Sequence, residues 1–195
     1  MANATMTRRA IAAGLKELME TRSFESLSVG DIARQCGVSR NTFYYHFRDK
    51  YDLISWVFHT EITPIVGDPT ERGDWAQGLL ALCSYMQANK KFYLNVLQFH
   101  GQNSFSDCLM EFYQERIARV ICGQTTDEAS ASARLIARFY AHALVGVLLD
   151  WASAGMQQDP RPFVKMLDEL LSGRATAREL SARPFPEGES TGTLC

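Results

Sequence analysis

Hydrophobic residues recur every three or four positions along most of the chain, a pattern that predicts α-helices rather than β-strands. In the first predicted helix, from about residue 7 to 21, Ile11, Leu15 and Met19 share one face and Thr7 is the expected N-cap. Nowhere do apolar and polar residues alternate regularly enough to predict a strand. The sequence therefore predicts an all-α protein with about nine helices.

Capping residues and breakers divide the rest of the chain. Ser28, Ser39 and Asp49 are expected to cap the second, third and fourth helices, and Pro64 to stop or kink the fourth. Further helices are predicted over residues 75–88, 91–100, 104–121, 128–154 and 163–171. Beyond Gly173, Pro, Gly, Ser and Thr accumulate, which is typical of a poorly ordered segment. The expected organisation is a head at residues 1–50, a helical body at 51–173 and a flexible tail at 174–195.

Residues 28–47 form two short capped helices joined by a tight turn that contains Gly37. This is the helix-turn-helix pattern, in which the second helix enters the major groove of DNA. Val38 and Phe43 are expected to fill the space between the two helices. Arginine suits guanine, asparagine suits adenine, and tyrosine can contact a thymine methyl group or a phosphate. A generic helical hairpin is the alternative, but the exposed polar residues and paired tyrosines favour DNA binding.

This part of the chain resembles the TetR-type transcriptional regulators over about residues 7–60. The residues that carry the resemblance are Asp31-Ile32-Ala33, Cys36-Gly37-Val38-Ser39, Thr42-Phe43-Tyr44-Tyr45-His46-Phe47, Lys50 and Leu53. Cys36 stands where alanine is commoner in the family. The run from Phe47 to Trp56 is similar to the subgroup that includes regulators of dihydroxyacetone kinase operons.

The resemblance implies contacts to phosphate from Ser28, Thr42, Tyr44, His46 and Lys50. It implies contacts to bases from Arg40, Asn41 and Tyr45, at the start and outer face of the second helix. Lysine at a helix N-terminus is physically suited to phosphate. For His46, packing is the alternative. The expected DNA-binding set is Ser28, Ser39, Arg40, Asn41, Thr42, Tyr44, Tyr45, His46 and Lys50.

The resemblance also implies that the body dimerises, and the sequence supports dimerisation independently. Residues 139–149 are apolar all round, so every side of that helix needs cover. A second copy would cover one side and space two reading helices about 34 Å apart on a palindromic operator. Burial within one chain is the alternative. The expected dimerisation residues are Ala137, Ala141, Val145, Gly146, Leu149, Phe163, Leu167 and Leu170.

Aromatic and polar-tipped residues along the middle helices suggest a pocket for a small-molecule effector, since such pockets are apolar with a few polar groups. Plain core packing is the alternative reading. The expected lining residues are Trp56, His59, Tyr93, His100, Phe112, Tyr113 and Tyr140.

The distribution of charge along the chain changes this picture when the head and the remainder are counted separately. The 195 residues carry a formal net charge of −2, which by itself argues against a nucleic-acid partner. Residues 1–50 hold eight basic and five acidic residues, whereas the remainder holds twelve basic and seventeen acidic ones. The head is therefore basic and the body acidic, as expected of a DNA-binding arm on a body that faces away from DNA.

Five widely spaced cysteines without a Cys-x-x-Cys pair favour unpaired thiols in the cytoplasm. No signal sequence, membrane span, metal site or cofactor is expected, and the longest apolar stretch is too short to cross a bilayer. A helical enzyme or cofactor carrier is the alternative class, but motifs for phosphate binding, serine nucleophiles and zinc are absent.

The leading interpretation is a repressor that binds double-stranded operator DNA as a homodimer under the control of a small-molecule effector. The alternative within this class is an activator controlled by a protein co-regulator, without a ligand.

Overall fold

The computed structural model describes residues 2–67, 75–98, 104–122 and 130–182. These residues form eleven α-helices, one π-helical turn and no strand, so the all-α prediction is confirmed. The elements are α1 Ala2–Met19, α2 Val29–Gln35, α3 Arg40–His46, α4 Lys50–Val57, the π-helical turn Phe58–Ile62, α5 Thr63–Val66, α6 Trp75–Ala88, α7 Lys90–Leu97, α8 Phe105–Cys122, α9 Ala131–Ser153, α10 Arg161–Leu171 and α11 Ala177–Ser181.

The first helix begins at Ala2, five residues ahead of the expected cap, so Thr7 lies inside α1 rather than before it. The residues ahead of Thr7 include alanines and a methionine, which favour helix, and no glycine or proline interrupts them. Ile11 and Leu15 are fully buried, as the periodicity predicts.

The caps of the next two helices lie where the sequence places them. The Ser28 side chain and Asp31 form a capping box at the start of α2, and the Ser39 side chain accepts a hydrogen bond from the Thr42 N–H at the start of α3. Between the two helices, Gly37 has a φ of 68°, a conformation that glycine adopts without strain. Phe43, on the inner face of α3, is fully buried, so the opposite face of α3 points to solvent.

The helix that leads from the head into the body is continuous through a wider, π-helical turn. Asp49 caps α4 through hydrogen bonds from the Tyr51 and Asp52 N–H groups. Pro64 lies in the first turn of α5, directly after the π-helical turn, where the regular α-helical hydrogen-bond ladder is already interrupted, so the helix continues to Val66 instead of stopping. The division of this segment into three elements is one reason why the element count exceeds nine.

The body is centred on α9, which packs along α8. Ala137, Ala141, Leu144 and Leu148 are buried on one side of α9. By length and hydropathy α9 would also suit a membrane span, a test that core helices of soluble proteins pass as well. Its contacts with α8 are those of a core helix.

The start of the predicted flexible tail is helical in the structure. The Thr176 side chain and Glu179 form a capping box at α11, and Leu180 is buried. This reciprocal cap and one apolar anchor are enough to start a helix within a polar segment. Residues 183–195 of the predicted tail lie outside the described residues.

Candidate nucleic-acid interface

The outer face of α3 is the most exposed aromatic surface of the head. Tyr45 is 82% exposed and Tyr44 55% exposed, although both are large side chains with an apolar ring. Arg40 and Asn41 are also exposed at the first turn, while Thr42 and His46 are half-buried at the flanks. The structure thus places the predicted base-contacting residues Arg40, Asn41 and Tyr45 at exposed positions of α3, with Asn41 and Tyr45 one turn apart on its outer face.

Local hydrogen bonds hold this surface in place. The Ser39 and Thr42 hydroxyl oxygens lie 2.9 Å apart, and the Thr42 N–H donates to Ser39 Oγ at 3.0 Å. The edge of the Tyr45 ring meets the His46 ring with centroids 5.0 Å apart. Ser39 therefore acts first as a cap, and its hydroxyl is engaged within the helix.

The Arg40 guanidinium lies back over the first turn of α2. A Cβ atom added to Gly30 would lie 2.4 Å from Arg40 Nη2, so any other residue here would displace the end of this exposed side chain. The sequence analysis missed Gly30. The feature that could have identified it is a glycine inside a short capped helix, where it costs about 1 kcal/mol relative to alanine and therefore calls for a packing reason.

Lys50, at the start of α4, is directed into the protein rather than towards a phosphate. Its ammonium group donates to the carbonyl oxygens of Phe24, Glu25 and Leu27 at 2.9, 3.0 and 2.9 Å. Since an ammonium group has three N–H donors, all of them are used. Burial lowers the pKa of Lys50 from its ordinary value. This geometry favours a structural role over the phosphate contact expected from the resemblance.

The capping box of α2 provides a pH-dependent contribution to the stability of the head. Hydrogen bonds from the Ser28 side chain and N–H, at 2.7 and 3.0 Å, lower the pKa of Asp31 to about 2. A carboxylate with a lowered pKa stabilises the fold above its ordinary pKa, and this contribution is lost as the pH falls through the lowered value.

We therefore expect Asp31→Asn to remove part of the acid sensitivity of the fold. The thermal midpoint of the wild-type protein should fall as the pH is lowered from 3.8 towards about 2, and the variant should fall less over that window. At neutral pH the variant should be the less stable of the two, because the charged cap is absent. Parallel profiles of the two proteins from neutral pH down to this window would contradict the role of Asp31.

Within the described part of the chain, the predicted effector residues lie in several different environments. Tyr93 and Tyr113 are buried in the core, whereas His59 is exposed. The Trp56 ring meets Phe47 of the head at 5.8 Å, and Tyr140 meets Phe139 on α9 at 5.5 Å. Phe112 packs edge-to-face on Phe58, and His100 lies outside the described residues.

A small cleft opens between α8 and α9 instead. It has a volume of about 170 Å³ and is lined by Glu111, Gln114, Arg134, Ala137 and Arg138. Ligand pockets for drug-sized molecules measure about 300–1,000 Å³. None of the predicted effector residues lines this cleft.

The predicted dimerisation residues are for the most part enclosed within a single chain. Ala137, Ala141, Val145, Phe163 and Leu167 are buried, Gly146 and Leu149 are half-buried, and Leu170 is 40% exposed.

The opposite face of α9 is apolar and open. Phe139 is 67% exposed, Leu135 70% and Ile136 42%, and they are followed one to two turns later by exposed Ala143 and by the open space beside Gly146. We call Leu135, Ile136, Phe139, Ala143 and Gly146 the α9 stripe. Its 3–4 residue spacing places it on one side of the helix. Sequence reasoning singled out only Gly146 of this stripe, because the helix is apolar on both sides.

Comparison with protein families gives two matches that together span most of the chain. Residues 11–56 match "Bacterial regulatory proteins, tetR family", and residues 73–173 match "Transcriptional regulator C-terminal region". The second match alone covers more than half of the chain.

Individual relatives agree with these matches. The chain is 30% identical over 124 residues to an HTH-type transcriptional activator of the dhaKLM operon, DhaS, from Lactococcus lactis subsp. lactis (strain IL1403), a match that covers 64% of this chain and 65% of that protein. Among solved structures, a dihydroxyacetone kinase operon activator DhaS has a TM-score of 0.62 at 22% identity, covering 87% of this chain and 96% of that one. NalD of Pseudomonas aeruginosa, described as the secondary repressor of a multidrug efflux pump, has a TM-score of 0.56 at 19% identity, covering 88% and 96%. At these identities the solved structures are similar in fold.

Proposed function

We propose that this chain, which belongs to the TetR family of bacterial regulatory proteins, is a transcriptional regulator that reads duplex DNA with α3. Because its family consists of regulators, the alternative of a helical enzyme is set aside. The observation that carries the proposal is the exposed face of α3, where Asn41 and Tyr45 lie one turn apart on the side opposite the buried Phe43. We place the protein in the cytoplasm, with its DNA.

The expected partner of the α9 stripe is a second copy of the chain. Its three large exposed side chains form a contiguous apolar surface, which soluble monomers rarely leave uncovered. In a two-fold dimer the stripe of one protomer would pack on the stripe of the other, with Ala143 and Gly146 allowing close approach of the two helices. Such a dimer would present two α3 helices to a palindromic operator.

Binding of DNA through α3 is tested with Asn41→Ala. The probe is the duplex that the wild-type protein enriches from a random-sequence pool, and affinity is measured by fluorescence anisotropy. Loss of a bidentate contact to adenine should cost about 1–3 kcal/mol on that duplex and relax its specificity. Affinity for an unrelated duplex should be unchanged, because binding there depends on phosphate contacts.

Gln77→Ala is the matched control, since Gln77 is an exposed side-chain amide on α6 of the body. It should bind the enriched duplex as the wild-type protein does. If the wild-type protein enriches no sequence, or if both variants match it on every duplex, α3 is not the reading element.

A different observation bears on whether the protein activates or represses transcription. In the described part of the body, the predicted effector residues are either packed in the core or separated from one another. The 30% identical relative is named as an activator. Activation through a protein co-regulator is therefore a second candidate beside effector-controlled repression. A reporter gene placed behind the enriched duplex, assayed with the wild-type protein and with Asn41→Ala, distinguishes the two by the direction of the change.

A further inference from the structure

Residues 20–28, which join α1 to α2, form a loop that is held from two sides; we call it the α1–α2 loop. Phe24 lies at its centre and is 2% exposed, with its ring edge-to-face against Tyr51 of α4 at 5.5 Å. Both polar groups of the Phe24 backbone are bound by side chains distant in sequence, one from the body and one from α4. Such bonds define the position of a loop far more closely than apolar contact alone.

The body holds the loop through Asn95 of α7. Asn95 Oδ1 accepts a hydrogen bond from the Phe24 N–H at 2.7 Å. Asn95 Nδ2 donates to the Arg22 carbonyl at 2.7 Å and to the Met19 carbonyl, at the last residue of α1, at 3.4 Å. One side-chain amide thus binds both the end of α1 and the loop that follows.

The first residue of α4 holds the same loop from the other side. The Lys50 ammonium group binds the carbonyl oxygens of Phe24, Glu25 and Leu27 and lies 4.7 Å from the centroid of the Phe24 ring. A lysine that donates to three carbonyls in a partly buried position resists displacement, because each unpaired carbonyl would have to find water.

We propose that Asn95 and Lys50 together are positioning residues that fix the orientation of the DNA-binding head on the body, and thereby the half-site spacing that the dimer accepts. The inference rests on the proposed function, since spacing matters only for a dimer that reads two half-sites. The α1–α2 loop leads directly into α2 and α3, so a shift of the loop relative to α7 moves the reading helix. Two such shifts, one per protomer, change the distance between the reading helices.

The other contacts between head and body differ in character. Lys91 of α7 pairs with Glu20, the first residue of the α1–α2 loop, at 2.9 Å, but both side chains are more than half exposed, and such surface pairs contribute about 0–1 kcal/mol. Lys16 of α1 binds Glu61 of the π-helical turn at 2.6 Å, which holds the middle of α1. Asn95, by contrast, binds the backbone of the loop through a part-buried hydrogen bond from the Phe24 N–H.

The test measures the affinity of Asn95→Leu for a series of duplexes. The series contains the enriched duplex, versions with its half-sites one base pair closer or farther apart, and a single half-site. We expect affinity for the preferred spacing to fall about tenfold, while affinity for a single half-site stays within about twofold of wild type. The preference of the variant among spacings should therefore be weaker.

Asn89→Leu is the matched control, because Asn89 lies at the start of the same helix and its side chain donates within the body to the Tyr85 carbonyl. It should retain the wild-type preference for spacing. If Asn95→Leu weakens binding to every duplex by the same factor, or leaves the preference unchanged, the positioning role is wrong.

Lys50→Met removes the hydrogen bonds that hold the same loop from the side of α4. It should also weaken the preference for spacing, with the slope of log affinity against log salt unchanged. A phosphate contact would instead lower that slope by about 1 per subunit, and this result would overturn the role of Lys50 in positioning.

Hydrogen exchange of the Phe24 amide gives a readout that needs no DNA. Exchange should be faster in Asn95→Leu than in the wild-type protein and the Asn89→Leu control. A wild-type protein that enriches no duplex would overturn the proposed function. Unchanged exchange of the Phe24 amide in Asn95→Leu would overturn the positioning of the loop by Asn95, so the two failures are distinguishable.

Discussion

Phe139→Asp should convert the protein into a monomer that has lost nearly all of its affinity for the operator. Phe139 lies at the centre of the α9 stripe with 67% of its surface exposed. In a two-fold dimer its replacement would bury two unpaired carboxylates against an apolar surface, which raises the dissociation constant of the dimer by about a hundredfold or more. Sedimentation velocity would measure the oligomeric state directly.

Loss of the dimer removes the advantage of binding two half-sites at once. The affinity for the enriched duplex should then fall by about 100- to 10,000-fold, towards that of a single half-site. Leu170→Asp is the comparison, because Leu170 is an exposed leucine on α10 that belongs to the predicted dimerisation residues but not to the stripe. A Phe139→Asp protein that stays dimeric, or a Leu170→Asp protein that dissociates, would place the interface elsewhere.

Phe58→Ala should reduce the free energy of unfolding by about 3–5 kcal/mol, the cost of removing a phenylalanine side chain from a packed core. Phe58 is fully buried in the π-helical turn, and its ring packs edge-to-face on Phe105 and Phe112, each with centroids 5.5 Å apart. Denaturant unfolding at a fixed protein concentration measures the change, since dimerisation makes apparent stability depend on concentration.

Phe58→Leu retains most of the apolar volume and should cost less than about 1.5 kcal/mol. The comparison also separates the two interpretations of the aromatic residues. If Phe58→Ala is as stable as the wild-type protein, the aromatic cluster is an open effector site rather than core. The packing of Phe58 between two rings favours core.

Features set by neighbours in sequence were predictable, because their physics is local. The caps at Ser28, Ser39 and Asp49 each bind N–H groups two or three residues ahead, so the residue types and their spacing contain the whole interaction. The turn at Gly37 and the burial of Phe43 are likewise set by residues that are close in sequence. For this reason the helix-turn-helix and its exposed residues were predicted closely.

Features set by distant residues were not predictable. Lys50 binds carbonyls 23 to 26 positions away, and nothing in its neighbourhood distinguishes a lysine that binds phosphate from one that binds backbone. The predicted dimerisation residues are a second case, because five of the eight are buried within one chain. Residues 139–149 are apolar on both sides, so periodicity alone does not tell which side α8 covers. Small residues such as Ala137 and Ala141 indicated close packing, but the close neighbour is α8 of the same chain.

Because the π-helical turn contacts both α1 and α6, the orientation of the head on the body depends on the number of residues between them. Glu61, within this turn, binds Lys16 of α1 and also accepts a hydrogen bond from the Tyr85 hydroxyl of α6 at 2.7 Å. Each residue of a helix turns it by about 100°. Deleting a single residue from α4, ahead of this turn, would swing Glu61 away from Lys16 and turn everything downstream with it. In evolution and in engineering, this stretch should accept substitution far more readily than insertion or deletion.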